Sequence, residues 1–214
     1  MIKNIIFDWS GVINDDLIIV YNATMILFKE RGAKEISLEE FKREWEQPYM
    51  LFYNKYLPKL SKEEVEVAFK KAHNIAISKY PSKPYSHIKE TLQKFKKAGI
   101  NMIVISSNFY ETISSDIKEF SLNGLFNEIN GEVHDKAEII RETIGRNQFN
   151  PKETIFIGDT THEVRAGKSA GTKTIAVTWG YQNEEKLKSS NPDFIIHNLE
   201  ELESIILGQE GDFR

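Results

Sequence analysis

The chain has 214 residues, enough for one large domain or a core carrying a smaller insertion, and long enough to bury a substantial hydrophobic core. It is 40% apolar and 28% charged with a net charge of −4, and only six of its 28 basic residues are arginine, so a nucleic-acid or anionic-membrane partner, which needs clustered positive charge, is not expected. Without cysteine, disulfides, thiolate zinc sites and cysteine nucleophiles are excluded. The opening MIKNIIFD has no long apolar h-region or small-residue cleavage site, and no apolar run approaches a bilayer span, so a cytoplasmic protein is expected.

In chain order, residues 2–7 form an apolar strand that ends at Asp8 and the turn Trp9-Ser10-Gly11-Val12. Continuous rather than alternating apolar runs suggest strands buried on both faces of a parallel sheet. Residues 17–31 are helical in period and stop at Gly32. Ser37-Leu38-Glu39-Glu40 and Ser61-Lys62-Glu63-Glu64 each read as a capping box opening a helix. The second helix carries Val65, Ala68, Phe69, Ala72, Ile75 and Ala76 on one face. Pro48 interrupts this block, and Pro81 and Pro84 close it. From residue 84 onward, helical segments alternate with short strands at 101–105, 154–157, 174–177 and 194–196. Two of those segments, 86–98 and 137–144, end at Gly99 and Gly145. The expected fold is α/β: a Rossmann-like, doubly wound parallel-sheet core of residues 1–15 and 83–214, with an all-α cap inserted at 16–82. Its hinges fall near 14–16 and 82–84. Phe28, Phe41, Trp45, Phe52 and Phe69 are expected to fill the cap's own core.

Four elements fall at strand ends or in the loops between. Asp8, at the carboxyl end of the first strand, sits where open α/β sheets place their chemistry and can serve as nucleophile or metal ligand. Ser107-Asn108 can hold a phosphate oxygen, or form a plain turn. Lys136, after His134-Asp135, can neutralise an anion or hold a carboxylate. In Gly158-Asp159-Thr160-Thr161-His162-Glu163, Gly158 permits a sharp turn and Asp159 can bind a hard cation. Glu163 lies four residues on, along the helix this segment opens.

With these motifs in this order, the chain resembles the haloacid dehalogenase-like hydrolase superfamily from end to end. The stretch Ala170-Gly171-Thr172-Lys173-Thr174-Ile175-Ala176-Val177-Thr178-Trp179-Gly180-Tyr181 is similar to the phosphoglycolate phosphatase-like branch. So are Pro192-Asp193-Phe194-Ile195-Ile196, Leu199-Glu200-Glu201-Leu202 and the helical insertion after the first motif. The resemblance implies hydrolysis of a small phosphate monoester through an aspartyl-phosphate on Asp8. It implies Mg²⁺ held by Asp8, the Ser10 backbone carbonyl and Asp159, with phosphate contacts from Ser107, Asn108 and Lys136 and support from Glu163. The partner would be a small-molecule phosphate ester, and the chain a monomer or homodimer.

One catalytic position departs from that pattern. Ser10 stands where phosphatases of the family carry the aspartate that acts as general acid and base, and Val12 replaces the usual threonine. A hydroxyl is too weak an acid to protonate a leaving alkoxide near neutral pH, and losing such help costs about 10²–10⁴-fold in rate. Three outcomes stay open: a slow phosphatase acting on good leaving groups, an acid relocated to Asp15, Asp16 or His162, or a persistent aspartyl-phosphate. The alternatives of another kind are a haloacid dehalogenase and a non-catalytic phosphate-binding protein.

Overall fold

The N-terminal apolar run becomes strand β1 (Asn4–Phe7), with all four residues buried because the strand lies inside the sheet. The computed structural model describes residues 1–133 and 135–208. Parallel neighbours of β1 are β2 (Asn101–Ile105) on one side and β4 (Thr154–Gly158) on the other. Beyond β2 lies β3 (Glu128–Asn130), and beyond β4 lie β5 (Lys173–Val177) and β6 (Phe194–Ile196). The order is β3-β2-β1-β4-β5-β6, so the winding reverses between β1 and β4. Open sheets bind ligands outside the carboxyl ends of the strands at such a switch point.

Successive strand residues point to opposite faces. Ile5 and Phe7 join Met102 and Val104 in a cluster with Leu92, Phe95, Ile113 and Leu202, from α5 (Ile88–Lys97), α6 (Tyr110–Glu119) and α10 (Leu199–Leu207). Ile6 joins Ile103, Ile105 and Phe156 against Ile140, Ile144 and Ala166, from α7 (Lys136–Arg146) and α8 (Thr161–Ser169). Helices therefore cover both faces, which is why the strands read as continuous apolar runs. A short helix α9 (Glu184–Lys188) precedes β6.

Between β1 and α5 lie four helices: α1 (Leu17–Glu30), α2 (Leu38–Glu44), α3 (Met50–Tyr56) and α4 (Lys62–Lys79). At α4 the capping box is complete, with Glu64 N donating to Ser61 Oγ (3.2 Å) and Ser61 N to Glu64 Oε2 (2.8 Å). At α2 only the Ser37 half forms. These helices share their own hydrophobic cluster, centred on fully buried Phe28, Phe41 and Phe52, with Phe28 stacked on Phe52 at 6.0 Å. Trp45 is buried there and Phe69 packs at its edge. The stripe of α4 runs through Val65, Ala68, Ala72 and Ala76, small residues that let α1 pack closely, while Ile75 turns out to be 39% exposed.

The two chain crossings hold each other. Asp15 N donates to Lys83 O (2.8 Å), Tyr85 N to Ile13 O (3.0 Å) and Ser82 Oγ to Asn14 Oδ1 (2.8 Å), so a narrow hydrogen-bonded neck joins insertion to sheet. Among the described residues no helix is long and apolar enough to cross a membrane.

Candidate active site

Asp8 prolongs β1 by one residue, its N–H donating to Ile157 O at 2.9 Å. The chain then turns tightly: Ile13 N and Asn14 N both donate to Trp9 O (2.9 Å), and Gly11 adopts φ +74°. Trp9 points away into the core, its indole N–H donating to Asp116 Oδ2 (3.1 Å) and its ring stacked on Phe120. That anchor fixes the loop from behind while Asp8 stays at the sheet edge, 4% exposed.

Lys136 is the first residue of α7, whose N-terminus is capped by the Asp135 side chain accepting from Glu138 N at 3.1 Å. Its ammonium is buried and donates to Asp8 Oδ1 (2.8 Å) and Glu163 Oε1 (2.5 Å). Glu163 is held in turn by the start of α8. Its Oε2 accepts from Asp159 N (2.8 Å) and Thr160 N (3.2 Å), while its own N–H donates to Thr160 Oγ1 (3.4 Å). This is a reciprocal capping box, Thr160-x-x-Glu163, turned to a second use. Gly158 leaves room for it: a Cβ there would sit 2.6 Å from the Glu163 side chain.

Asp159 lies between two glycines, and a Cβ on Gly11 or Gly180 would overlap its carboxylate. Tyr181 N donates to Asp159 Oδ2 at 2.6 Å. One carboxylate oxygen from each of Asp8, Asp159 and Glu163 lies within 4.8 Å of the others. Burial would raise Glu163, but Lys136 outweighs it and holds the group near 2. Burial pulls Lys136 down, yet Asp8 and Glu163 leave it above the usual lysine range. Asp8 and Asp159 are both raised well above ordinary carboxylates, first by burial and next by the charge of Glu163. Three buried carboxylates thus lie together with one ammonium, which pairs with Asp8 and Glu163, and the all-oxygen donor set and its excess negative charge fit a hard divalent cation such as Mg²⁺.

The other sequence-derived residues fall as follows. Asn108 Nδ2 donates to Ser10 Oγ at 2.9 Å, joining the β2 end to the first loop. Ser107 is exposed, whereas its neighbour Ser106 is buried and accepts from Asn108 N at 3.2 Å. The strand-end hydroxyl inside the protein is therefore Ser106, which the apolar run ending at Ile105 could have flagged. Of the three residues named for a relocated acid, Asp15 pairs with Lys83 (3.4 Å). His162 is half-buried on α8, and burial lowers its pKa. Asp16 is buried against the first loop, its Oδ1 accepting from Gly11 N (3.2 Å) and the Tyr181 hydroxyl (3.0 Å), and burial pushes it up to about 6. His134 lies outside the described residues.

Comparison with known proteins adds a family. The model described as haloacid dehalogenase-like hydrolase matches residues 5–177. Pyrophosphatase PpaX of Anoxybacillus flavithermus is 30% identical over 144 residues, 65% of either chain. For PpaX of Bacillus velezensis the match is also 30%, over 55% of this chain and 57% of that protein. The chain thus spans less than two thirds of the length of these two relatives. Phosphoglycolate phosphatase of Aquifex aeolicus is 29% identical over 92% of this chain and 93% of that protein. A solved haloacid dehalogenase-like family hydrolase from Streptococcus pneumoniae superposes with a TM-score of 0.79 at 23% identity, covering 95% of this chain and 98% of that one.

Proposed function

Because the chain belongs to the haloacid dehalogenase-like hydrolases, we propose that it hydrolyses small phosphate monoesters by attack of Asp8 on phosphorus. The observation that carries this is the buried constellation of Asp8, Lys136, Glu163 and Asp159 at the switch point of the sheet. Relatives named for phosphoglycolate and pyrophosphate chemistry support the same reaction class.

Asp8 is the nucleophile and would carry the phosphoryl group as an aspartyl-phosphate until water releases it. Lys136, ion-paired to Asp8, orients the nucleophile and offsets charge on the phosphoryl oxygens, and Glu163 fixes the lysine. Ser107 and Asn108 would receive phosphoryl oxygens at the β2 end. Asp8, Asp159 and the Ser10 carbonyl would hold Mg²⁺, which when bound supplies charge neutralisation to a phosphoryl transfer that depends on positioning and electrostatics. Helices α1–α4 act as the cap, closing over the strand ends and excluding water.

Ser10 cannot protonate a leaving alkoxide, and Asp16 takes over that role. In support, Asp16 alone of the three relocated candidates bonds to the Ser10–Gly11 turn, and its raised pKa keeps a protonated fraction near neutrality. Substrates with good leaving groups, aryl esters or a phosphoanhydride such as pyrophosphate, lean on this acid least.

The test is hydrolysis of p-nitrophenyl phosphate with and without Mg²⁺, beside Asp8→Asn. Turnover is expected only when both Mg²⁺ and Asp8 are present. Equal turnover in Asp8→Asn would remove Asp8 as the nucleophile, and no turnover in either protein would sink the reading and favour a phosphate binder or a dehalogenase. Asp16→Asn is expected to slow alkyl phosphates by about 10²-fold while sparing the aryl ester. Equal loss on both esters would remove Asp16 from the acid's role.

A further inference from the structure

Tyr181, in the connection after β5, sends three of its groups to three different places. Its backbone N–H donates to Asp159 Oδ2 at 2.6 Å. Its hydroxyl donates to Asp16 Oδ1 at 3.0 Å, beside the neck. Its ring, 5% exposed, belongs to the cluster of the helical insertion, with centroids 5.3 Å from Trp45 and 6.5 Å from Phe41.

The residues around it repeat the pattern. Lys42 Nζ, from α2, donates to Thr178 O at 3.2 Å. Gln182 is fully buried; its Nε2 donates to Trp45 O (2.8 Å) and its Oε1 accepts from Thr161 N (2.7 Å) at the head of α8. Lys186 Nζ also donates to Trp45 O, at 2.7 Å. One connection is therefore bonded at once to the insertion and to the strand ends that carry the carboxylates.

We propose that Tyr181 is a positioning residue that transmits the seating of the cap to the carboxylate of Asp159. This rests on the reading that Asp159 holds a divalent cation. With Trp45 and Phe41 packed on its ring, the Tyr181 N–H is fixed, and Asp159 stays within 4.8 Å of the Asp8 and Glu163 oxygens. With the cap displaced, the ring loses that packing, the donor to Asp159 loosens and metal affinity falls. By reciprocity the bound cation favours the seated cap.

The experiment uses the full chain without substrate and Mn²⁺ alone as the probe, its free concentration read by electron paramagnetic resonance. Groups that orient a metal ligand typically alter affinity by about 10–100-fold. Tyr181→Ala and Trp45→Ala are expected to weaken Mn²⁺ binding by about tenfold or more. The Gln182 and Lys186 bonds go to the Trp45 backbone oxygen, which Trp45→Ala keeps, so an effect of removing the indole would pass through its contact with the Tyr181 ring. Tyr56→Ala, in the same aromatic cluster but packed on Phe28 and Phe52, serves as the control and is expected to bind Mn²⁺ like the wild type.

Turnover of p-nitrophenyl phosphate, which leans little on the Asp16 acid that the Tyr181 hydroxyl also touches, should fall in the Tyr181 and Trp45 variants at limiting metal and recover as metal is raised. Circular dichroism of each variant without metal separates this from a loss of folded protein, because a bound cation also stabilises the fold. Unchanged Mn²⁺ affinity in both variants overturns the proposal, and so does an equal loss in Tyr56→Ala. If the alanine variants do not fold, Tyr181→Leu and Trp45→Leu decide on the same criterion. If the wild type binds no Mn²⁺ that Asp159→Asn removes, the parent reading of the site fails, and the coupling with it.

Discussion

Charge governs the site at the scale of single residues. Lys136 stands between Asp8 and Glu163, and breaking a buried ion pair from one side costs about 3–5 kcal/mol. Lys136→Met is therefore expected to abolish turnover and to lower stability by that amount, measured by urea denaturation at pH 7. Two acids then act in opposite senses with pH. Glu163, held near 2 against an ordinary 4.5, contributes stability present above pH 4.5 and lost as the pH falls towards 2. Asp16, raised from 3.8 to about 6, does the reverse. Above pH 6 it is charged in both states and costs up to about 3 kcal/mol, and that cost is relieved as the pH falls from 6 towards 4. Asp16→Asn should accordingly unfold at a higher temperature than the wild type at pH 7.5, with the difference closing near pH 4. A calorimetric scan at the two pH values checks this. Such a gain beside a loss of alkyl-phosphate turnover would mark Asp16 as a residue kept for function at the expense of stability.

Two helices of the chain open with the same device at the element scale, and they separate structure from chemistry. The boxes at Ser61–Glu64 and Thr160–Glu163 each cap a helix, and removing the capping hydroxyl costs about 1 kcal/mol. Ser61→Ala and Thr160→Ala should lower the urea midpoint to a similar degree. Only Thr160→Ala should reduce turnover, because Glu163 also holds Lys136. Equal activity in the two variants would mean that the cap contributes nothing to placing the lysine. Sequence periodicity shows the elements unevenly. The long strands and α1, α4, α5 and α7 were legible because their apolar residues repeat over several turns or run unbroken. The strand β3 was not, since its three residues carry only Ile129 as an apolar signal, and Asn127 sets its register by exchanging hydrogen bonds with Met102. At the end of β2 the hydroxyl of Ser106 is buried and that of Ser107 is exposed, a difference in environment that residue type alone does not show.

For the whole molecule, the clusters on the two faces of the sheet and the cluster of the helical insertion are joined at the neck, with Tyr181 reaching from the sheet's connection into the helical one. Without a cation the buried negative charge at Asp8 and Asp159 opposes folding. Asp159→Asn is thus expected to raise the unfolding temperature of the metal-free protein. Mg²⁺ at about 100 times its dissociation constant should stabilise the wild type by about 2.7 kcal/mol, roughly 5–10 °C for a chain of this size, and leave Asp159→Asn unmoved. A Mg²⁺ shift of the same size in both proteins would place the ion elsewhere.

From its sequence alone this protein determined its fold class, the helical insertion between the first strand and the rest, and the motif positions Asp8, Lys136, Asp159 and Glu163. Those signals are local: strand ends, glycine turns and helix caps follow from neighbours a few residues apart. Tertiary structure decided which groups meet. It brought Asn108 to Ser10, and Tyr181 to Asp159 and Trp45 together. Those pairings span up to about 140 residues of chain, and no periodicity within one segment records them. They exist because a doubly wound sheet carries distant strand ends to one edge, where burial then fixes the charge of each group.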